Sequence, residues 1–246
     1  MPGTEGNATT SWARLRQVVI ATNEIEADIT TLRSAMGFGV GFHDPELLEH
    51  GMVDRTFALS DGTYLELVAA VDPQDSLSRW TRKIGGRGGY ALSIQHPDVA
   101  AVQARALAAG VQVVRAQDAF GFPILQLHPR DTAVLLEADG IADPDVWFWD
   151  GVGEDAQPQP EAAIDSILAV EISVENPAKM ATLWRELLDL PAGADDATVS
   201  LGSAQLRFVE GDDTSRWTIV LRRQAGGAAP SPDLLPGVTF RFVDPA

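Results

Sequence analysis

Apolar residues along this chain recur in two rhythms, one of strands and one of helices. Leu15-Arg16-Gln17-Val18-Val19-Ile20-Ala21-Thr22 is rich in β-branched residues and predicts a strand. Asn23 follows as a helix cap, with Glu24 and Glu26 in the first turn. Ile25, Ile29, Leu32 and Met36 then lie on one helical stripe that ends at Gly37. Val40-Gly41-Phe42 reads as a short strand, and Asp54-Arg55-Thr56-Phe57-Ala58-Leu59 as another. Ser60-Asp61-Gly62-Thr63 is a hairpin signal, and the apolar run Thr63 to Val71 emerges from it. The order is β-α-β-β-β.

The same order returns twice. Tyr90 to Ile94 is a strand, and Pro97-Asp98 opens a helix through Val99, Val102, Ala106 and Ala109. Val111 to Val114, Ile124 to His128 and Ala133 to Ala138 are three further strands. A third block begins at Ile167 to Val174. Its helix starts at Asn176-Pro177, carries Met180, Leu183, Trp184, Leu187 and Leu188, and is followed by a hairpin about Gly202-Ser203. Arg216 to Leu221 and Gly237 to Phe242 are strands of a fourth block that is cut down. Gln224 to Pro230 between them cannot form a stable helix. This is an internal repeat of pattern. The fold class it predicts is α+β, built of repeated βαβββ modules. The divisions are a flexible lead over 1–13, a two-module domain over 14–141, a linker or strap over 142–163, and a degenerate second domain over 164–246. Asp72 to Gly89 reads as a flexible connector. Its Gly85-Gly86-Arg87-Gly88-Gly89 end lacks the Lys-Ser/Thr of a phosphate loop and precedes a strand instead of a helix.

Two strands break their own pattern. Glu66 sits inside Thr63 to Val71, and Glu137 inside Ala133 to Ala138. A carboxylate within an apolar strand is costly unless a metal, a partner or a water-filled cavity relieves it. Two at corresponding places in two repeats suggest one cavity built from two halves. The alternative is that they are solvated strand-end residues, or partners of Arg16 and Arg55. Trp147 and Trp149, in the aromatic stretch before Gln157-Pro158-Gln159-Pro160, read either as a strap on the sheet or as a pocket wall.

Composition narrows the class. The 246 residues are 45% hydrophobic, enough for a real core, and carry a formal net charge of −17. Such charge argues against nucleic-acid and anionic-membrane partners. The absence of cysteine excludes disulfides and thiolate metal sites. No signal-like or membrane-spanning stretch is visible, so the expectation is a cytoplasmic protein, monomer or homodimer, acting on a small molecule.

The run of blocks resembles the vicinal oxygen chelate superfamily of glyoxalases, epimerases, extradiol dioxygenases and bleomycin-resistance proteins. Leu32-Arg33-Ser34-Ala35-Met36-Gly37-Phe38 and Leu183-Trp184-Arg185-Glu186-Leu187-Leu188-Asp189-Leu190 look like its helix ends. Leu127-His128-Pro129-Arg130-Asp131-Thr132, leading to Leu135-Leu136-Glu137, looks like its final hairpin. The resemblance implies βαβββ modules paired into curved mixed sheets around a central cup, with helices on the outside and a divalent metal (Zn, Ni, Mn or Fe) at the cup floor, held from the first and last strand of each module. Gln17, Glu66 and Glu137 fall at three such places. The fourth falls near Tyr90 or Ala91, neither a good neutral ligand. In a regular hairpin His128 would lie across from Glu137 and could stand in; it could equally only anchor its turn. His96 reads as a helix-start residue, and His50 as a residue of the cup rim or the surface. In block three Arg207 holds the place of Glu66, near Ala169 and Glu171, so the C-terminal half looks unable to bind a metal.

Two functions follow. One is metal-assisted proton transfer of the isomerase or lyase type, with Glu137 or Glu66 as base. The other is non-catalytic binding or drug sequestration, without metal, in a pocket walled by Tyr64, Phe57, Phe120, Phe122 and Trp147. A third reading, an interaction protein that has lost its small-molecule site, rests on the truncated fourth block.

Overall fold

The computed structural model describes residues 11–150, 152–193, 195–225 and 230–245. Most of the expected N-terminal lead, and 226–229 of the stretch read as non-helical, lie outside them. The first block comprises β1 (Arg14–Thr22), α1 (Ile25–Met36), α2 (Pro45–Glu49), β2 (Met52–Ala58) and β3 (Tyr64–Ala70). After α3 (Ser76–Lys83) come β4 (Arg87–Gln95), α4 (Val99–Ala108), β5 (Val113–Ala119), β6 (Phe122–Leu127), α5 (Pro129–Thr132) and β7 (Leu135–Asp139). The third block is β8 (Ile164–Val174), α6 (Pro177–Leu188), β9 (Thr198–Leu201) and β10 (Ala204–Glu210), followed by β11 (Trp217–Arg223) and β12 (Val238–Val243).

The first two blocks form a curved seven-stranded sheet, in the order β2-β3-β1-β4-β7-β6-β5. Within each block the first and last strands run parallel: Val19 pairs with Glu66, and Ser93 with Glu137. The two first strands, β1 and β4, join the blocks antiparallel, with Gln17 opposite Ser93. The second sheet is β12-β11-β8-β10-β9, built the same way about the antiparallel pair β8 and β11. There β11 and β12 hold the first-strand and last-strand positions of a fourth block, with no described helix or hairpin between them.

One apolar core runs through both sheets. Side chains on the face of each sheet away from its cup, such as Val18, Leu65, Leu92 and Leu136, meet Ile29, Leu32 and Met36 of α1 and Val102 and Ala106 of α4. The second sheet contributes Val170, Ile172, Ile219 and Phe240, with Trp184 and Leu188 of α6. Helix α6 is tied across to the first half. The Trp184 indole N–H donates to Thr132 O at 3.0 Å, and Arg105 Nε donates to Leu187 O at 2.8 Å. His96 holds Leu188 O at 3.1 Å while its Nδ1 accepts from the Asp98 N–H, so both ring nitrogens are used at the start of α4. Burial pulls the His96 imidazole down, toward the neutral form this pairing needs.

Two segments depart from the sequence pattern. Val40–Phe42 is not a strand; only Phe42 forms an isolated bridge, with Thr56. The connector 72–89 contains α3, and its glycines at 88 and 89 already belong to β4. Asp75 caps α3 by accepting from the Leu77 N–H at 2.7 Å, and Arg82 and Lys83 lie in its last turn, favourable for the helix dipole. Only Leu77 and Trp80 are large apolar residues there, so the helix showed no stripe. It forms because Leu77, Ser78 and Thr81 are buried against the sheet.

Gly89 marks the closest approach of the two halves. Its N–H donates to Ser215 O at 2.9 Å. A Cβ at this position would lie 1.8 Å from Trp217 Cδ2. Trp217 is itself buried in the shared core and cannot yield cheaply. Gly89→Ala is therefore expected to cost about 1–3 kcal/mol by overpacking, read as a drop of several degrees in Tm. An unchanged melting curve would refute this junction.

Candidate active site

The concave face of the first sheet is polar across its middle and apolar at both ends. Period-two alternation places Asp54 and Thr56 of β2, Glu66 of β3, Gln17 of β1, Ser93 of β4, Glu137 of β7, Gln126 of β6 and Arg115 of β5 in one row. Every strand of the sheet contributes. Toward α3 the face carries Val19, Val68, Ala91 and Leu135, with Tyr90 beside them and Leu77 and Trp80 of α3 packed on them. Toward the other end it carries Ala58, Tyr64 and Ile141 under Trp147 and Trp149. From Glu66 to Arg115 the row borders a cavity of about 380 Å³, within the range of small-molecule sites.

The row is wired by hydrogen bonds. The indole N–H of Trp149 donates to Gln17 Oε1 at 3.1 Å, and Gln17 Nε2 donates to Glu66 Oε2 at 2.7 Å. Ser93 Oγ donates to Glu137 Oε1 at 2.8 Å, and Gln126 Nε2 to Glu137 Oε2 at 2.6 Å. Burial pushes the Glu66 carboxyl well above the usual carboxylate range. The charges of Asp54 and Glu137 push the same way, against the Gln17 hydrogen bond. Glu66 therefore tends to hold a proton. Glu137 meets a donor at each oxygen. Neither glutamate pairs with Arg16 or Arg55. Arg16 instead donates to Gln95 Oε1 at 2.7 Å, Gly62 O at 2.9 Å and Pro144 O at 2.7 Å.

The strap over 142–150 serves both readings of its tryptophans. Trp147 is buried on the sheet, 5.2 Å from the Arg16 guanidinium, and does not line the cavity. Phe148 and Trp149 do line it. Opposite them, the turn Phe120-Gly121 joins β5 to β6 with both residues at positive φ. Holding a phenylalanine there costs about 1–2 kcal/mol. Its ring is set against Phe148 and Trp149, at centroid distances of 5.5 and 5.3 Å. Short α2 brings Asp44, Glu46, Leu47 and His50 to the cavity edge. His43 Nδ1 lies 2.7 Å from Asp54 Oδ1.

The structure thus brings Gln17, Glu66, Glu137 and Phe120 of the sequence candidates to the cavity, and five others elsewhere. Gln126, not His128, lies across from Glu137. The β6 strand ends at Leu127, and His128 Nδ1 accepts from the Arg130 N–H at 3.1 Å as the cap of α5. Phe57 faces the core and stacks on Phe38, because its register opposite Leu65 puts it on the other side of the sheet. Tyr64 is covered by the strap, whose Trp147 lies on the sheet away from the cavity, and Phe122 packs on Phe148 outside the cavity lining. Sequence reading missed Ser93, Gln126, Tyr90 as a cavity residue, Arg115 and α2. A polar residue alternating within a strand was the available signal for the first two.

The donor set does not suit the divalent metal that the resemblance implies. The parallel registers make Ala91 the counterpart of Gln17, since Glu137 stands two residues past its partner as Glu66 does. Ala91 offers no ligand atom. Gln17 is engaged at both ends of its amide, and Glu137 at both oxygens. Among the described residues no three His, Asp or Glu side chains converge to hold an ion. In the second sheet, Glu171 is paired with Arg207 at 3.2 Å and with Arg241.

A curved sheet of paired βαβββ blocks, with its site in the cup, defines a protein of the vicinal oxygen chelate superfamily. A family model described as Glyoxalase-like domain matches residues 15–188, from β1 to the end of α6, and the chain belongs to that family. Nothing among curated proteins matches the chain. Among solved structures, a hypothetical protein from Staphylococcus aureus is similar over 94% of this chain and 99% of its own, with 13% identity and a TM-score of 0.63. Methylmalonyl-CoA epimerase from Mycobacterium tuberculosis is similar over 51% of this chain and 86% of its own, with 22% identity and a TM-score of 0.45. The Streptomyces coelicolor methylmalonyl-CoA epimerase in complex with 2-nitronate-propionyl-CoA covers 51% and 95%, with 27% identity and a TM-score of 0.44. No helix among the described residues is long and apolar enough to cross a membrane.

A second buried acid, Asp139, lies on the cup face two residues past Glu137. Neither of its oxygens has a hydrogen-bond partner among the described residues, and burial, then the charge of Glu137, pushes it well above the usual range. Carboxyls raised in the folded state bind more protons folded than unfolded. Their stabilisation is present at acid pH and is lost as pH rises from the ordinary carboxylate range through the raised values. Tm is therefore expected to decline as pH rises above about 5. Glu66→Gln and Asp139→Asn should each flatten that decline in a calorimetric pH series. Slopes identical to the wild type would show that neither side chain keeps its proton.

Proposed function

We propose that this chain binds a small carbonyl compound in the cup of its first sheet and moves a proton on the carbon beside the carbonyl, as an isomerase or lyase of the glyoxalase type. The observation that carries this reading is the contrast between two glutamates on one cavity floor. Glu66 is buried with one donor and a raised carboxyl, while Glu137 is partly exposed with two donors. Paired carboxyls in opposed environments divide acid and base roles between them.

Glu137 is the base. It takes the proton as the C–H bond breaks, and the electron pair moves into an enolate. Glu66, protonated, donates to the developing oxygen charge or gives up its proton there. Return of a proton to the same or the neighbouring carbon completes epimerisation or isomerisation. No metal enters these steps, because the residues present do not form its ligand set.

The aromatic wall of Phe120, Phe148 and Trp149 favours a second reading, binding without chemistry. Proton–deuterium exchange separates the two. NMR in D2O, with small 2-oxoacids and α-hydroxyketones as probes, should show exchange at the carbon next to the carbonyl. Glu137→Gln should slow it roughly 10²–10⁴-fold, and Glu66→Gln should lower it while leaving probe binding in place. Binding with no exchange above the buffer rate would leave a sequestering protein.

A further inference from the structure

The cup is lined by five ionisable acids or imidazoles and by one permanent cation. Asp44, Glu46, His50, Glu66 and Glu137 border the cavity; among the described residues Arg115 is the only Lys or Arg that does. On a chain of net charge −17 this arginine would be expected to find a carboxylate. It makes no hydrogen bond or ion pair among the described residues. It is half-buried on β5, with its register partner Gln126 between it and Glu137. Gln126 gives its amide N–H to Glu137, which leaves the guanidinium facing the cavity. Two strand spacings, about 10 Å between backbones, separate Arg115 from Glu137.

A second donor stands with it. Tyr90 of β4 borders the same cavity, and its ring is fixed by a tilted contact with Trp80 at 5.9 Å. Its hydroxyl also has no hydrogen-bond partner among the described residues. Burial pushes that hydroxyl up, with Glu137, Asp75 and Glu66 adding to it, while the Arg115 charge acts in the opposite direction. The guanidinium is thus near enough to be felt by the phenol, and the phenol stays a donor at neutral pH. Acids around the cup do not cancel the site: Glu66 tends to hold its proton, and Gln126 stands between Arg115 and Glu137.

We infer that Arg115 and Tyr90 form an anion clamp, and that the ligand of the cup carries a carboxylate or phosphate group. This rests on the reading of the cup as a small-molecule site and narrows its substrate class. The clamp would hold the anionic end of the ligand on the β5 side of Glu137. The carbon acid would then lie over the Ser93–Glu137–Gln126 part of the row. Arg115 and Tyr90 determine specificity in this scheme and take no part in moving the proton.

The test is isothermal titration of the full chain at low ionic strength with four probes: succinate, inorganic phosphate, succinamide and 1,4-diaminobutane. The expected result is that one or both anions bind at a single site, and that added salt weakens them. Succinamide and the diamine should give no comparable heat. Which anion prevails assigns the group as carboxylate or phosphate. Arg115→Gln should weaken the anion roughly tenfold or more, Arg115→Lys less, and Tyr90→Phe by about three- to tenfold. Melting curves matching the wild type would show that the variants fold. Equal or stronger binding of the neutral or cationic probe would overturn the clamp. So would unchanged affinity in Arg115→Gln, or an absence of anion binding by the wild type. Anion binding that survives in Glu137→Gln, with no proton exchange in the wild type, would sink the catalytic reading and leave the clamp standing.

Discussion

The polar row across the cup floor is the constraint on which the rest of this molecule depends. It puts carboxylic acids and amides on the middle of a sheet whose two ends are apolar, and each must find a partner. Gln17 solves half of this problem by bonding Trp149 with one end of its amide and Glu66 with the other. Ser93 and Gln126 solve the other half at Glu137. The floor is therefore held rigid from both blocks, and rigidity of this kind is what a site needs to place a base against a carbon acid.

What closes the floor is set by a second buried network. Arg16 reaches Gln95, Gly62 and Pro144, and Gln95 Nε2 donates to Ile141 O and Asp143 O. These bonds tie the chain after β7 down onto β1 and β4. The strap then lays Trp147 over Arg16 and delivers Phe148 and Trp149 to the cavity. At the opposite end α3 covers Val19, Ala91 and Leu135. No described residue after Trp149 lines the cavity, so the second sheet does not close the cup. It acts through the shared core and through the α6 bonds to Arg105, His96 and Thr132.

The repeats keep their backbone while their side chains diverge. Each sheet is built around an antiparallel pair of first strands, with the last strand of each block parallel to its own first. Yet the place held by Glu66 in block one is Arg207 in block three, paired with Glu171, and Ala91 stands where Gln17 has its counterpart. Strand pairing needs only backbone groups and alternation, so it survives such changes. A ligand set needs particular atoms at every position and does not.

Much of this was readable along the chain. The repeated order of a strand, a helix and a following hairpin, the helices α1, α4 and α6, the truncated end and the two acidic strands followed from alternation, helical stripes and caps, because these are local signals. Helix α3 was not readable: its apolar positions are too few for a stripe, and its burial depends on a sheet assembled from distant strands. The sequence by itself determined that Glu66 and Glu137 sit in apolar strands and need company. Only the tertiary structure decided what that company is. A shift of one residue in pairing turns a side chain to the other face, and register alone put Gln126 opposite Glu137, His128 at a cap, Phe57 in the core and Arg115 on the cup.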